Sequence, residues 1–113
     1  MVVAYDEALA ERIRDIVHDE PGLTEKRMFG GLAFLINGHM AVTASGKGGL
    51  LLRVDPDRTD EFLDPPHVGR FVMRGREMDG WLRVDPAAVD TEERLTKWVG
   101  LGVAFVRTLP PKS

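Results

Sequence analysis

Four side chains form the clearest chemical pattern in this sequence: Arg53, Arg74, Arg83 and Trp81. Arg53 lies in Leu50-Leu51-Leu52-Arg53-Val54, and Arg83 lies in Trp81-Leu82-Arg83-Val84. Successive strand residues point to opposite faces of a sheet. If Leu52, Val54, Leu82 and Val84 face a core, Arg53 and Arg83 share the opposite face. Arg74 alternates with Met73 and joins them by the same rule, and Trp81 falls on that face by parity. Guanidinium groups in a row can grip a carboxylate, a phosphate or an acidic partner through paired N–H donors. A Trp beside them suits a protein interface. The plainer reading is a solvated face with Asp and Glu neighbours, and a Trp81 covered by the tail or by the long helix.

Other candidate chemistry is weaker. Gly46-Lys47-Gly48 evokes a phosphate loop, but that loop needs a glycine where Ala41 stands and Ser or Thr where Gly48 stands. It also needs a helix to follow, and Leu50-Leu51-Leu52-Arg53-Val54 follows instead. Gly30-Gly31 could aim N–H groups at an anion. Glycines within a strand pattern more often mark a bend or the close approach of another segment. His18, His39 and His67 fall on three different elements, unlike clustered metal ligands. Ser45, the one internal serine, lacks a nucleophile elbow. Glu77 and Asp79 flank Met78 and share an outer strand face, where paired carboxylates could do acid–base work; a solvated edge is the commoner outcome. No catalytic constellation, cofactor or metal site is expected, and the chain reads as a non-enzyme.

Positioning the arginine face requires a particular order of elements. Leu9, Ile13, Ile16 and Val17 form one stripe of a helix over residues 6–18, and Pro21-Gly22 stops it. Residues 24–29 and 32–36 read as strands on either side of Gly30-Gly31. Asn37-Gly38 is a strong hairpin signal, because a type I′ turn needs positive φ at both central positions. Residues 40–44 and 50–54 follow as strands around a turn at 45–49. Asp55 and Pro56 start a short helix that reaches residue 63. Residues 70–84 give two more strands around Gly75. The last helix covers residues 90–107, with Asp90 and Glu93 in a capping-box pattern. Leu52-Arg53-Val54-Asp55-Pro56 recurs as Leu82-Arg83-Val84-Asp85-Pro86, read as reused strand-exit chemistry. The predicted order is α-β-β-β-β-α-β-β-α. Grouped strands flanked by helices imply an α+β fold, with helices on an antiparallel sheet of five to six strands.

The whole chain sets outer bounds. Its 113 residues suit one domain, taken as 1–108 with a flexible tail at 109–113. Hydrophobic residues make up 43% of it, enough for a single core without staples. There are no cysteines, which removes disulfides and thiolate chemistry. No apolar run is long enough to span a bilayer, and the N-terminus turns acidic at once, so a cytoplasmic protein is expected. The formal net charge of −3 predicts weak or no direct nucleic-acid binding. A protein partner or a homodimer, through a sheet face or the last helix, is the expected association.

With these residues in place, the chain resembles the N-terminal domain of the TfoX (Sxy) family. The resemblance starts at Lys26-Arg27-Met28-Phe29-Gly30-Gly31 and runs through Asn37-Gly38 and Met40. It continues through Leu51-Leu52-Arg53-Val54-Asp55, Gly75-Arg76-Glu77-Met78 and Gly80-Trp81-Leu82-Arg83-Val84. A closing helix from Leu95 to Phe105 around Trp98 completes it. Met28, Phe29, Gly30, Gly31, Asn37 and Gly38 are thereby family-motif residues of structural kind. The resemblance implies a secretion-chaperone-like fold. It also implies kinship with regulators of natural competence, thought to act with the cyclic-AMP receptor protein on gene expression. It supplies no catalytic residues. Two functions remain open: a regulatory or protein-interaction module, or a small-ligand or anion-binding domain that uses the arginine face.

Overall fold

Asp6 starts the first helix: its carboxylate accepts a hydrogen bond from Leu9 N at 3.1 Å. This fills one of the donors that a helix N-terminus leaves unpaired. The computed structural model describes residues 5–28 and 30–111. Helix α1 spans Glu7–Val17 and buries Leu9, Ala10, Ile13 and Val17. Strands β1 (Leu23–Met28) and β2 (Gly31–Ile36) then form a hairpin in which Met28 pairs with Gly31. Gly30, at φ 72°, therefore lies in the connection between two strands and not in a bend within one. Asn37 and Gly38, at φ 53° and 86°, supply the two positive angles that join β2 to β3 (His39–Ala44).

A glycine-rich turn leads to β4 (Leu50–Arg53). The two Asp-Pro repeats then leave their strands in the same way, but Asp55 caps with its side chain, accepting from Asp57 N at 2.9 Å, and Asp85 does not. Each opens a 3-10 helix, Pro56–Phe62 after Asp55 and Pro86–Val89 after Asp85. Between them lie β5 (Val68–Met73) and β6 (Arg76–Val84). Helix α2 spans Glu92–Val106. Thr91 caps it, accepting from Arg94 N at 3.2 Å, in place of the predicted Asp90–Glu93 box. The cap falls at Thr91 because its backbone is extended (φ −116°, ψ 156°), whereas Asp90 is helical and bonds the Arg94 side chain at 2.9 Å.

All neighbouring strands are antiparallel, in the order β1-β2-β3-β4-β6-β5. The fold is α+β as predicted, with six strands. Both helices pack on one face. There Leu32, Phe34, Val42, Leu50, Leu52, Leu82 and Val84 meet Ile13 and Val17 of α1 and Leu95 and Val99 of α2. Each such side chain contributes about 1.5–3 kcal/mol on burial, so this layer outweighs any surface ion pair.

Helix α2 comes close against the sheet backbone at Gly102. A Cβ on Gly102 would lie 2.6 Å from the Ala41 carbonyl oxygen and 2.8 Å from Leu52 Cδ1. Ala41 is the residue that β3 leaves unpaired where its register with β2 shifts. The bulge thus sits directly beneath the helix glycine. Past the end of α2, Leu109 packs near Ile36 and Ala41, and the Pro110 carbonyl oxygen lies 2.6 Å from His39 Nε2. Arg14 ties α1 to β1 through two 2.7 Å bonds to Glu25, and holds that carboxyl below the ordinary carboxylate range.

Two expectations follow. In urea denaturation, Gly102→Ala should lose about 1–3 kcal/mol through overpacking. Gly100→Ala, on the exposed side where no atom lies within 4 Å, should gain about 0.5–1 kcal/mol; equal effects would contradict the contact. The lowered Glu25 pKa stabilises the fold above the ordinary 4.5, and this contribution fades as pH falls through the folded value. The stability gap between wild type and Glu25→Gln should therefore narrow in acid. A gap that is constant with pH would rule the Arg14 pairing out as its source.

Candidate functional site: the helix-free face of the sheet

The strand register fixes what the second face presents. One cross-strand row runs Lys26–Ala33–Thr43–Leu51–Arg83–Gly69, and Arg53 pairs with Trp81 beside it. The β3 bulge turns Met40 onto this face opposite Leu35. Ala33, Met40 and Leu51 are buried there, with Met28, Leu35, Phe71 and Trp81 packed around them. The sheet therefore carries two apolar layers, and only one of them is under the helices.

Charge is segregated as well. The paired strand positions on this face include Lys26, Arg53, Arg76 and Arg83, and no carboxylate. Carboxylates lie elsewhere, among them Glu7, Glu11, Asp57, Asp60, Glu61, Glu92 and Glu93 on the helices. Within the apolar patch, Thr43 is fully buried and its hydroxyl has no hydrogen-bond partner among the described residues. A buried hydroxyl left unpaired costs about 1–3 kcal/mol.

The sequence-predicted residues fall into separate settings. Arg53 and Trp81 meet: the guanidinium lies 5.3 Å from the Trp81 ring centre and 5.8 Å from that of Phe105 on α2. Such stacking holds the guanidinium in place while leaving its N–H edges for a ligand. Arg83 shares the face but pairs with Asp85, which also lies 3.4 Å from His67. Arg83 first, and His67 after it, keep the Asp85 carboxyl below its ordinary range. Arg74 does not join them. It occupies the β5–β6 turn at φ 54°, at the far end of the hairpin from Arg83.

Met28 belongs to the apolar cluster. Gly31 allows β2 to start against β3, since a Cβ there would lie 2.0 Å from the Ala44 carbonyl oxygen. Phe29 lies outside the described residues. Asp79 bonds Arg70 at 2.9 Å, while Glu77 is exposed, so these two carboxylates are not joined as an acid–base pair. The Ser45 hydroxyl accepts from Lys47 N at 3.1 Å and serves its turn.

Sequence reasoning missed the second apolar layer. Its signal was available: residues 32–36, 40–42 and 50–52 are continuous apolar runs, as strands buried on both faces read. Arg83 also lines a cleft of about 260 Å³ with Lys47, Arg70, Leu51 and Phe71. Arg70 there is already held by Asp60 and Asp79.

A family model described as the TfoX N-terminal domain matches residues 15–106. No curated protein and no solved structure matches the chain. The match spans every strand and α2, so the helix-free face lies wholly within it.

The stacked arginine and the ion-paired one should respond differently. Arg53→Ala is expected to cost about 1–2 kcal/mol in urea denaturation, from two lost aromatic contacts. Arg83→Ala should leave the midpoint nearly unchanged. A reversed order would place the structural role on Arg83.

Proposed function

The chain belongs to the TfoX N-terminal domain family, and on that premise we propose that it is a non-enzymatic regulatory module that docks an acidic protein segment on its helix-free sheet face. One observation carries this reading: an apolar patch whose neighbouring strand positions bear only basic charges, in a chain of net charge −3. Apolar side chains of a partner would cover the partly buried Met28, Leu35 and Phe71. Carboxylates around them would meet Lys26 and Arg53, and bidentate pairing suits a guanidinium already fixed by Trp81. The regulatory part of the reading draws on the family's link to competence-type control of transcription. A cytoplasmic setting accords with a cysteine-free chain.

Binding of a small anion is the second reading, favoured by the cleft lined by Lys47, Arg70 and Arg83. Both arginines there already hold carboxylates, so an anion would have to displace Asp85 or Asp79. Nucleic acid would use the cations but gain little from an apolar centre, and the acidic total opposes it.

Selection of a random peptide library on the immobilised protein tests the proposal. The recovered peptides should mix Asp or Glu with apolar residues and bind less tightly at higher salt. Their Kd should rise about ten-fold in Arg53→Glu and in Trp81→Ala, a loss of about 1.4 kcal/mol. Peptides without acidic bias, or indifferent to both changes, would contradict it. Salt-sensitive binding of duplex DNA in preference to peptides would assign the face to nucleic acid.

A further inference from the structure

The two edges of the sheet are defended unequally. Edge strand β1 carries Glu25, Lys26 and Arg27 in succession, the charged composition that discourages pairing with another chain. Edge strand β5 reads Val-Gly-Arg-Phe-Val-Met. Val72 and Met73, 54% and 36% exposed, are the exposed large hydrophobic residues among those described, and both lie on β5.

The backbone of β5 defines a short free window. Arg74 and Gly75 make a two-residue turn, and Met73 pairs with Arg76. In such a hairpin the closing pair exchanges hydrogen bonds, so Met73, Phe71 and Gly69 direct their N–H and C=O groups towards β6. Arg70 and Val72 therefore direct theirs outward. Val68 does so too, but its groups are already bonded to Asp64 at 2.9 and 3.0 Å. The open edge thus runs from Gly69 to Met73, bounded by the Asp64–Val68 bridge at one end and the turn at the other. Its centre is Phe71.

We propose that β5 is a self-pairing edge: two copies of this chain join β5 to β5, antiparallel, about a twofold axis through Phe71. This register satisfies every open group in the window. Arg70 exchanges hydrogen bonds with Val72 of the second copy, and Val72 with its Arg70, about four bonds in all. Phe71 faces Phe71 of the second copy at the axis, where side chains come closest. Gly69, with nothing within 4 Å of its Cβ position, faces Met73 of the second copy, which fills the gap. Arg70 brings no unpaired charge to the edge, since Asp60 and Asp79 hold it. Charge completes the match. Arg74 has no carboxylate partner among the described residues, and this register carries it to Asp64 of the second copy, twice over by symmetry. A foreign strand would need to reproduce each of these fits; a second copy has them by construction. The inference does not rest on the docking reading, although Phe71 belongs to both surfaces. It does have a consequence there, because an axis perpendicular to the sheet sets both helix-free faces on the same side.

Light scattering and a single-cysteine variant test the pairing. The wild-type mass should be twice the 12.6 kDa of one chain. Val72→Pro removes an outward N–H at a position where an edge strand tolerates proline, and should return the mass to one chain with the circular dichroism unchanged. Phe71→Cys puts the only thiol of the chain on the axis. Facing Cα atoms at about 4.5 Å lie within disulfide reach, so mild oxidation should link it to itself. Glu77→Cys, on β6, should stay unlinked. Arg74→Asp should weaken the dimer, and adding Asp64→Arg should restore it. A single-chain mass at all concentrations, a dimer undiminished by Val72→Pro, or equal linking of the two cysteine variants would overturn the proposal.

Discussion

The contact between Gly102 and the Ala41 carbonyl oxygen decides how this molecule is divided. Only a residue without a Cβ lets α2 approach the sheet so closely. The β3 bulge at Ala41 meets the helix from below and also turns Met40 to the other face. One local irregularity therefore seats the helix and supplies an apolar side chain to the face that the helix leaves open. With α1 and α2 both committed to the same side, Ala33, Met40 and Leu51 of the second layer are packed by the partly buried Met28, Leu35, Phe71 and Trp81 instead of by a helix.

That division is chemical as well as steric. Helices α1 and α2 carry Glu7, Glu11, Asp15, Glu92 and Glu93, and the charged residues at paired positions of the open side are all cations. On this face Leu51 and Met40 are buried, and the Thr43 hydroxyl among them has no partner among the described residues. These are the features on which the proposed docking of another polypeptide rests. Arg53, stacked on Trp81 and Phe105, also links the two sides, because Phe105 belongs to α2.

Much of the fold was legible in the sequence because its turns announce themselves. Asn37-Gly38, Gly75 and the two Asp-Pro steps each fix a local backbone, and between them the strands alternate or run apolar. Parity put Arg53, Arg83 and Trp81 on one face, as the pairings show. It failed for Arg74, because a residue in a turn with positive φ has left the strand's alternation. Capping by Thr91 was hidden by the preceding 3-10 turn, which no periodicity signals. The stacking of Phe105 on Arg53 depends on contacts distant in sequence, which local pattern does not encode.

The helix-free face is proposed as the docking surface. Amide chemical-shift mapping during titration with a bound acidic peptide measures this directly. Shifts are expected at Lys26, Thr43, Leu51, Arg53, Trp81 and Arg83, with the exposed positions of α1 and α2 unmoved. Shifts centred on either helix, with this row of residues silent, would contradict it.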